Sequence, residues 1–270
     1  MNTKKSFLIK DWDKFVKEGR GDGRCEKYRP AFTVREVCSR TQRERVFIGR
    51  FGRTFENMSH GETLTLLQLD WNDDVAEVRE QFPLDPDITA KIADELHLCH
   101  PGYTRGGTIM TTDFLVTWKK PDGSVFKKAF QVKSSERDLE NGRIRAKLQI
   151  ESEYWKRKGI PWCVLLSKSY NRIFCSNLEI LHPYRETRFT DRDLKFMLDI
   201  LKREIVCNYF LQYSSASGEL EPLPNKGISL SVTDGLKILL SRKLLVFPDH
   251  SKLLTDCHLR DFRENSHVSC

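Results

Sequence analysis

The stretch from Thr111 to Lys133 constrains this chain more than any other. Phe114, Val116 and Trp118 alternate with Leu115 and Thr117, and Phe126, Phe130 and Val132 repeat the period of two. Between them Pro121-Asp122-Gly123 is a turn with a physical reason: proline fixes φ and glycine accepts a positive one. The pattern predicts an antiparallel hairpin whose turn sets the register, placing Asp113 beside Gln131 or Lys133. Gln131 and Lys133 are two apart and share a face. An acid, an amide and an ammonium therefore converge where the two strands leave the sheet, as a metal site requires.

The chemistry that suits such a cluster is phosphodiester hydrolysis. A carboxylate and a carbonyl oxygen hold Mg²⁺, while a lysine orients or deprotonates the attacking water and offsets charge on the phosphorane. Asp113 and Gln131-Val132-Lys133 resemble the first acid and the (D/E)-X-K element of the PD-(D/E)XK nucleases. The departure is Gln131, which stands where most of that superfamily places a carboxylate. A glutamine supplies no charge, so a further acid must come from elsewhere. The plain alternative is a surface hairpin with an exposed Asp and Lys.

Glu62 is the candidate acid. Ser59 is a good helix N-cap, Leu64, Leu67 and Trp71 fall on one stripe, and Ser59-His60-Gly61-Glu62 has the form of a capping box. Glu62 thus has two explanations, a cap partner and a metal-binding carboxylate on a first turn, and the sequence leaves both open.

Further along, Val75–Val78 begins a strand that ends at Pro83, and residues 88–97 predict a helix. Glu80-Gln81-Phe82-Pro83-Leu84, His100-Pro101, Met110-Thr111-Thr112-Asp113-Phe114-Leu115-Val116, Gln131-Val132-Lys133, Tyr154-Trp155 and Ile160-Pro161-Trp162 follow in order. This string, within residues 17–166, resembles the TnsA family of endonuclease subunits of heteromeric bacterial transposases. By that resemblance Glu62, Asp113, Gln131 and Lys133 match the family's catalytic positions, and Gln-Val-Lys is the family's own form. The resemblance implies a restriction-endonuclease-like mixed sheet flanked by helices and a Mg²⁺ site built from Glu62, Asp113 and Gln131, with Mn²⁺ as a substitute. It also implies cleavage at the 5′ ends of a transposon, with a DDE transposase, TnsB, acting at the 3′ ends and an ATPase regulator, TnsC, as further partner.

After Lys133 the pattern predicts a long helix over 138–158 and a buried strand at Trp162–Leu166, which with the second hairpin strand make a parallel crossover. Glu151 and Glu153 on that helix read as solvated charges, with contacts behind the metal site as the other possibility. Around Pro183-Tyr184-Arg185 the pattern changes, dividing the chain into a catalytic domain, 1–185, and a smaller winged-helix-like domain, 186–270. There Thr190 caps one helix, Thr233–Arg242 form another, and Leu244–Pro248 with Asp249-His250 suggest a hairpin. The tail from Arg260 reads as disordered.

Charge bears on the substrate. Of 45 Lys and Arg against 38 Asp and Glu, residues 1–60 hold 15 against eight, so the whole net charge of +7 lies at the front. Its nine arginines, interleaved with Tyr28, Phe32, Phe47 and Phe51, suit a phosphate backbone, with Arg20, Arg24 and Arg29 as DNA contacts. An ordinary solvated basic face is the alternative. No apolar run reaches membrane-spanning length and the N-terminus lacks a signal-peptide core, so a bacterial cytosolic location is expected. The eight cysteines show no zinc spacing and read as reduced, mostly buried thiols. Three functions stay open: a transposase endonuclease subunit acting on transposon-end DNA, an inactive nuclease-fold scaffold, and a stand-alone restriction-type enzyme.

Overall fold

The computed structural model describes residues 8–37, 42–102, 106–186, 189–208, 211–216, 218–220, 222, 230–247 and 250–266. Pro248 and Asp249, named above, lie outside them. The chain packs as two compact units, residues 1–170 and 171–270.

The first unit opens with a short helix, α1 (Trp12–Lys17), and then a hairpin that the sequence reading did not foresee, β1 (Glu44–Ile48) with β2 (Arg53–Asn57). Helix α2 (His60–Trp71) follows, capped by Ser59 as expected, then β3 (Val75–Pro83) and α3 (Pro86–Glu95). The anticipated hairpin is β4 (Thr111–Lys119) and β5 (Val125–Lys133). In place of one long helix stand α4 (Glu136–Glu140) and α5 (Gly142–Arg157), because Asn141 leaves helical conformation at ψ 118° and its side chain caps the second. The last strand is β6 (Trp162–Leu166).

The main sheet runs β3-β4-β5-β6, antiparallel except for the parallel β5–β6 pair that the α5 crossover makes possible. β6 is a half-buried edge strand rather than a fully buried one, since it has a neighbour on one side alone. One layer of the core joins Leu84, Ile92, Met110, Leu115 and Ala129 to Ile150, Tyr154 and Trp155, fixing α5 against the sheet.

The second unit contains α6 (Arg172–Arg185), α7 (Asp191–Cys207), α8 (Val232–Ser241) and a two-residue ladder of β7 (Leu245–Val246) with β8 (Arg263–Glu264). Helix α6 belongs here, ahead of the boundary read at 185/186. Asn171 caps it and reaches the His250 carbonyl, while Asn177 donates to the Lys252 carbonyl and accepts from the Leu254 N–H. Pro183 is inside α6, near its end, so the proline did not mark the division. The β7–β8 pair is separated by residues 247–262, and no short wing hairpin is present among the described residues. Nor is the tail disordered through residue 266: Phe262 is buried and residues 263–264 pair with β7.

Candidate active site

The hairpin register decides which side chains meet. Phe114 faces Phe130 and Trp118 faces Phe126, so Asp113, next in line, comes opposite Gln131. The Val132 N–H donates to Asp113 Oδ2 at 2.7 Å, tying the acid to the Gln-Val-Lys segment. Asp113 and Gln131 are 7% and 2% exposed. Lys133, at the end of β5, is half-buried and its Nζ donates to the Val132 carbonyl at 3.0 Å.

Helix α2 delivers Glu62. A Cβ on Gly61 would come within 2.8 Å of Ser167 Oγ, so the small residue lets the first turn of α2 close on the segment after β6. The cap explanation of Glu62 is realised in the geometry. Ser59 Oγ accepts from the Glu62 N–H at 3.3 Å and donates to Glu62 Oε1 at 2.9 Å, while Oε2 accepts from the Met58 N–H at 3.0 Å. The carboxylate therefore serves the helix start, reaching one residue further back than a standard capping box. It is also 5% exposed, and burial first and the nearby Asp113 carboxylate second push it well above the ordinary carboxylate range. Hydrogen bonds from Met58 and Ser59 and the Lys133 charge oppose that rise. Glu62 therefore has the Asp113 carboxylate and the Lys133 ammonium as electrostatic neighbours.

Among the described residues no three Asp, Glu, His or Cys side chains gather into a metal cage on their own, so any donor set here needs another oxygen. Gln131 offers one: its Oε1 is buried without a hydrogen-bond partner. A buried acceptor left unsatisfied is costly. Beside two close carboxylates it fits a hard divalent cation, which takes oxygen ligands of mixed charge.

Two nearby residues escaped the sequence reading. Gln81, in β3, is 4% exposed with φ at +45°; its Nε2 donates to Glu62 Oε2 at 3.0 Å and its Oε1 accepts from Thr111 Oγ1 at 3.3 Å. It lay inside the Glu-Gln-Phe-Pro-Leu string, but a left-handed residue in a strand has no periodicity signal. Glu151, read as a solvated charge, is fully buried. Its Oε1 accepts from Thr112 Oγ1 at 2.7 Å and from Trp162 Nε1 at 2.9 Å, and burial raises it to about 7. Glu153 does point outward, pairing with Lys156 and Arg157.

The basic front segment divides in two. Arg20 is engaged by Glu36, Glu18 and the Ala31 carbonyl, an arrangement that raises its pKa and pulls Glu36 down to about 2. Arg53 is buried against Glu80 at 2.5 Å and stacks over Phe55, and Arg50 pairs with Asp70. These ion pairs tie the three arginines to acids of their own unit. Tyr28 and Phe51 are buried and Phe32 is half-buried, so of the interleaved aromatics Phe47 alone is exposed. Arg24 and Arg29 are exposed, Arg24 touching Glu77 only at 3.4 Å. The cysteines also differ from expectation: of the six described, all free, Cys25, Cys99 and Cys207 are exposed.

A mixed sheet flanked by helices, with an acid and a Gln-x-Lys on its central hairpin, fits a restriction-endonuclease-like fold. Residues 72–167 match the family described as TnsA-like endonuclease N terminal. The chain is 38% identical over 170 residues to the Transposon Tn7 transposition protein TnsA of Escherichia coli, a match covering 63% of this chain and 61% of that protein. The chain thus spans about three fifths of the length of the curated relative it matches. The similarity to TnsA-like endonucleases thus includes residues 72–167, where most of the motif string lies, and Glu62 is just ahead of them.

Proposed function

We propose that this chain is the Mg²⁺-dependent endonuclease subunit of a heteromeric transposase, cutting transposon-end DNA at the 5′ ends while TnsB-like and TnsC-like partners choose the site. The observation that carries the reading is the buried pair Glu62 and Asp113 on α2 and β4, electrostatic neighbours of each other, with a partnerless Gln131 oxygen opposite Asp113 on the hairpin. The similarity to TnsA supplies the setting.

Glu62, Asp113 and Gln131 would hold the cation through oxygen. Bound there, Mg²⁺ supplies Lewis acidity toward the scissile phosphate and acidifies a water. Asp113 is fixed by the Val132 N–H and Glu62 by three donors, so neither carboxylate has to reorganise as charge develops. Lys133, an electrostatic neighbour of Glu62 at the end of β5, would orient the attacking water and meet charge on the phosphorane. Arg24 and Arg29 grip phosphates outside this centre, which carry no sequence information, so site choice falls to a partner.

The test is cleavage of duplex DNA carrying transposon ends, with Mg²⁺ and the cognate DDE transposase present or absent. Asp113→Ala and Lys133→Ala are each expected to lower cleavage by at least about 10³-fold with DNA association retained. Wild-type cleavage by folded Asp113→Ala would sink the assignment. Robust sequence-specific cutting by the isolated chain would favour a restriction-type enzyme instead.

A further inference from the structure

Gln81 stands out in β3 because a buried, non-glycine residue in an otherwise extended strand has a φ of +45°. That conformation is disfavoured for a residue with a Cβ and persists where its surroundings over-determine it. The neighbours here hold both the backbone and the side chain. Ala31 N–H donates to the Gln81 carbonyl at 3.0 Å, and Tyr28 OH donates to the Glu80 carbonyl at 2.9 Å. The turned backbone accompanies an amide used at both ends, accepting from Thr111 Oγ1 at 3.3 Å and donating to Glu62 Oε2 at 3.0 Å.

If the bend served the strand alone, glycine would meet it without strain and the side chain would be dispensable. If a local polar contact sufficed, asparagine would suit the left-handed backbone better. Glutamine has the reach to bridge from β3 to the first turn of α2. Its amide donates to an oxygen that also accepts from the Met58 N–H, while Ser59 Oγ holds the other oxygen. Repulsion from Asp113 favours a Glu62 carboxylate turned away, and these three donors oppose that turn.

We infer that Gln81 is a positioning residue that holds Glu62 in its metal-binding orientation through the Nε2 hydrogen bond, with Thr111 setting the direction of the amide. The inference rests on the nuclease reading of Glu62 and Asp113.

The test uses full-length protein and Mn²⁺ as probe, measuring affinity by titration calorimetry alongside cleavage of end-containing DNA. Gln81→Met removes the hydrogen bonds while keeping length, and Gln81→Gly removes them while relieving the backbone. Both are expected to weaken Mn²⁺ affinity about 10- to 100-fold and to slow cleavage similarly, with metal-free DNA binding unchanged. Gln81→Asn, which accepts the left-handed backbone but withdraws the amide by one methylene, is expected to fall with them and substitutes for either variant that folds poorly. A folded Gln81→Gly or Gln81→Asn with wild-type Mn²⁺ affinity would overturn the inference while leaving the nuclease reading intact, provided Asp113→Ala loses the metal. Equal Mn²⁺ affinity in wild type and Asp113→Ala would overturn both.

Discussion

Two buried carboxylates on helices beside the sheet have different surroundings. Glu62, at the start of α2, and Glu151, in the middle of α5, are 5% and 0% exposed, and burial raises both. Glu62 has Asp113 and Lys133 as electrostatic neighbours, a hydrogen bond to Gln81, and the partnerless Gln131 oxygen on the hairpin it faces. Glu151 shares its Oε1 between Thr112 and Trp162, and Trp155 Nε1 donates to the same Thr112 hydroxyl at 2.7 Å. Glu151 also feels Asp113 and Lys147 and leaves Oε2 without a partner, but its bonded oxygen ties α5 to β4 and β6, whereas both oxygens of Glu62 are held by donors beside the hairpin.

Arginine provides the same contrast within the front segment, and it sets the largest effect on stability. Arg53→Met is expected to cost roughly 3–5 kcal/mol in denaturant unfolding, because Glu80 would remain buried without its partner. A loss below about 1 kcal/mol would show that Glu80 finds relief elsewhere.

The next effect is pH dependence at Glu151. Its folded pKa of about 7 lies above an ordinary carboxylate value of 4.5, so its stabilising contribution is complete below 4.5 and is lost as pH rises through 7. Glu151→Gln removes that loss. Between pH 4.5 and 8 the variant is expected to gain on the order of 3 kcal/mol relative to wild type. Parallel stability profiles would mean that Glu151 does not carry the strain.

The smallest effect belongs to the exposed arginines. Arg24→Ala with Arg29→Ala should leave stability within about 0.5 kcal/mol and reduce the salt slope of DNA binding by roughly one unit per lost phosphate contact. Arg20, already held by Glu36 and Glu18, should add nothing to that slope. An unchanged slope in the double variant would move the DNA path off this segment.

Much of the site was legible because it is local. The Pro-Asp-Gly turn set the register that brings Asp113 to Gln131, and Ser-x-x-Glu placed Glu62 on a first turn. What the sequence hid depends on tertiary packing. Arg20, Arg50 and Arg53 look like free cations until Glu36, Asp70 and Glu80 are seen beside them. Glu151 sits among charged neighbours in sequence, yet α5 turns it to the sheet. Gln81's backbone carbonyl is held by Ala31 and its side-chain amide by Thr111, both remote in sequence. Pro183 hid the division between units because α6 accommodates it near its end.

The difference between the two carboxylates is tested most directly by single-turnover cleavage of end-containing DNA with Glu62→Gln and Glu151→Gln side by side in the complete assembly. Glu62→Gln keeps an acceptor for the α2 cap and removes a charge that repels Asp113, so its melting temperature should hold while cleavage falls by at least about 10³-fold. Glu151→Gln should cleave within a few-fold of wild type. Full activity in Glu62→Gln, or equal losses in both, would contradict the assignment of Glu62 to the metal site and return it to the helix cap alone.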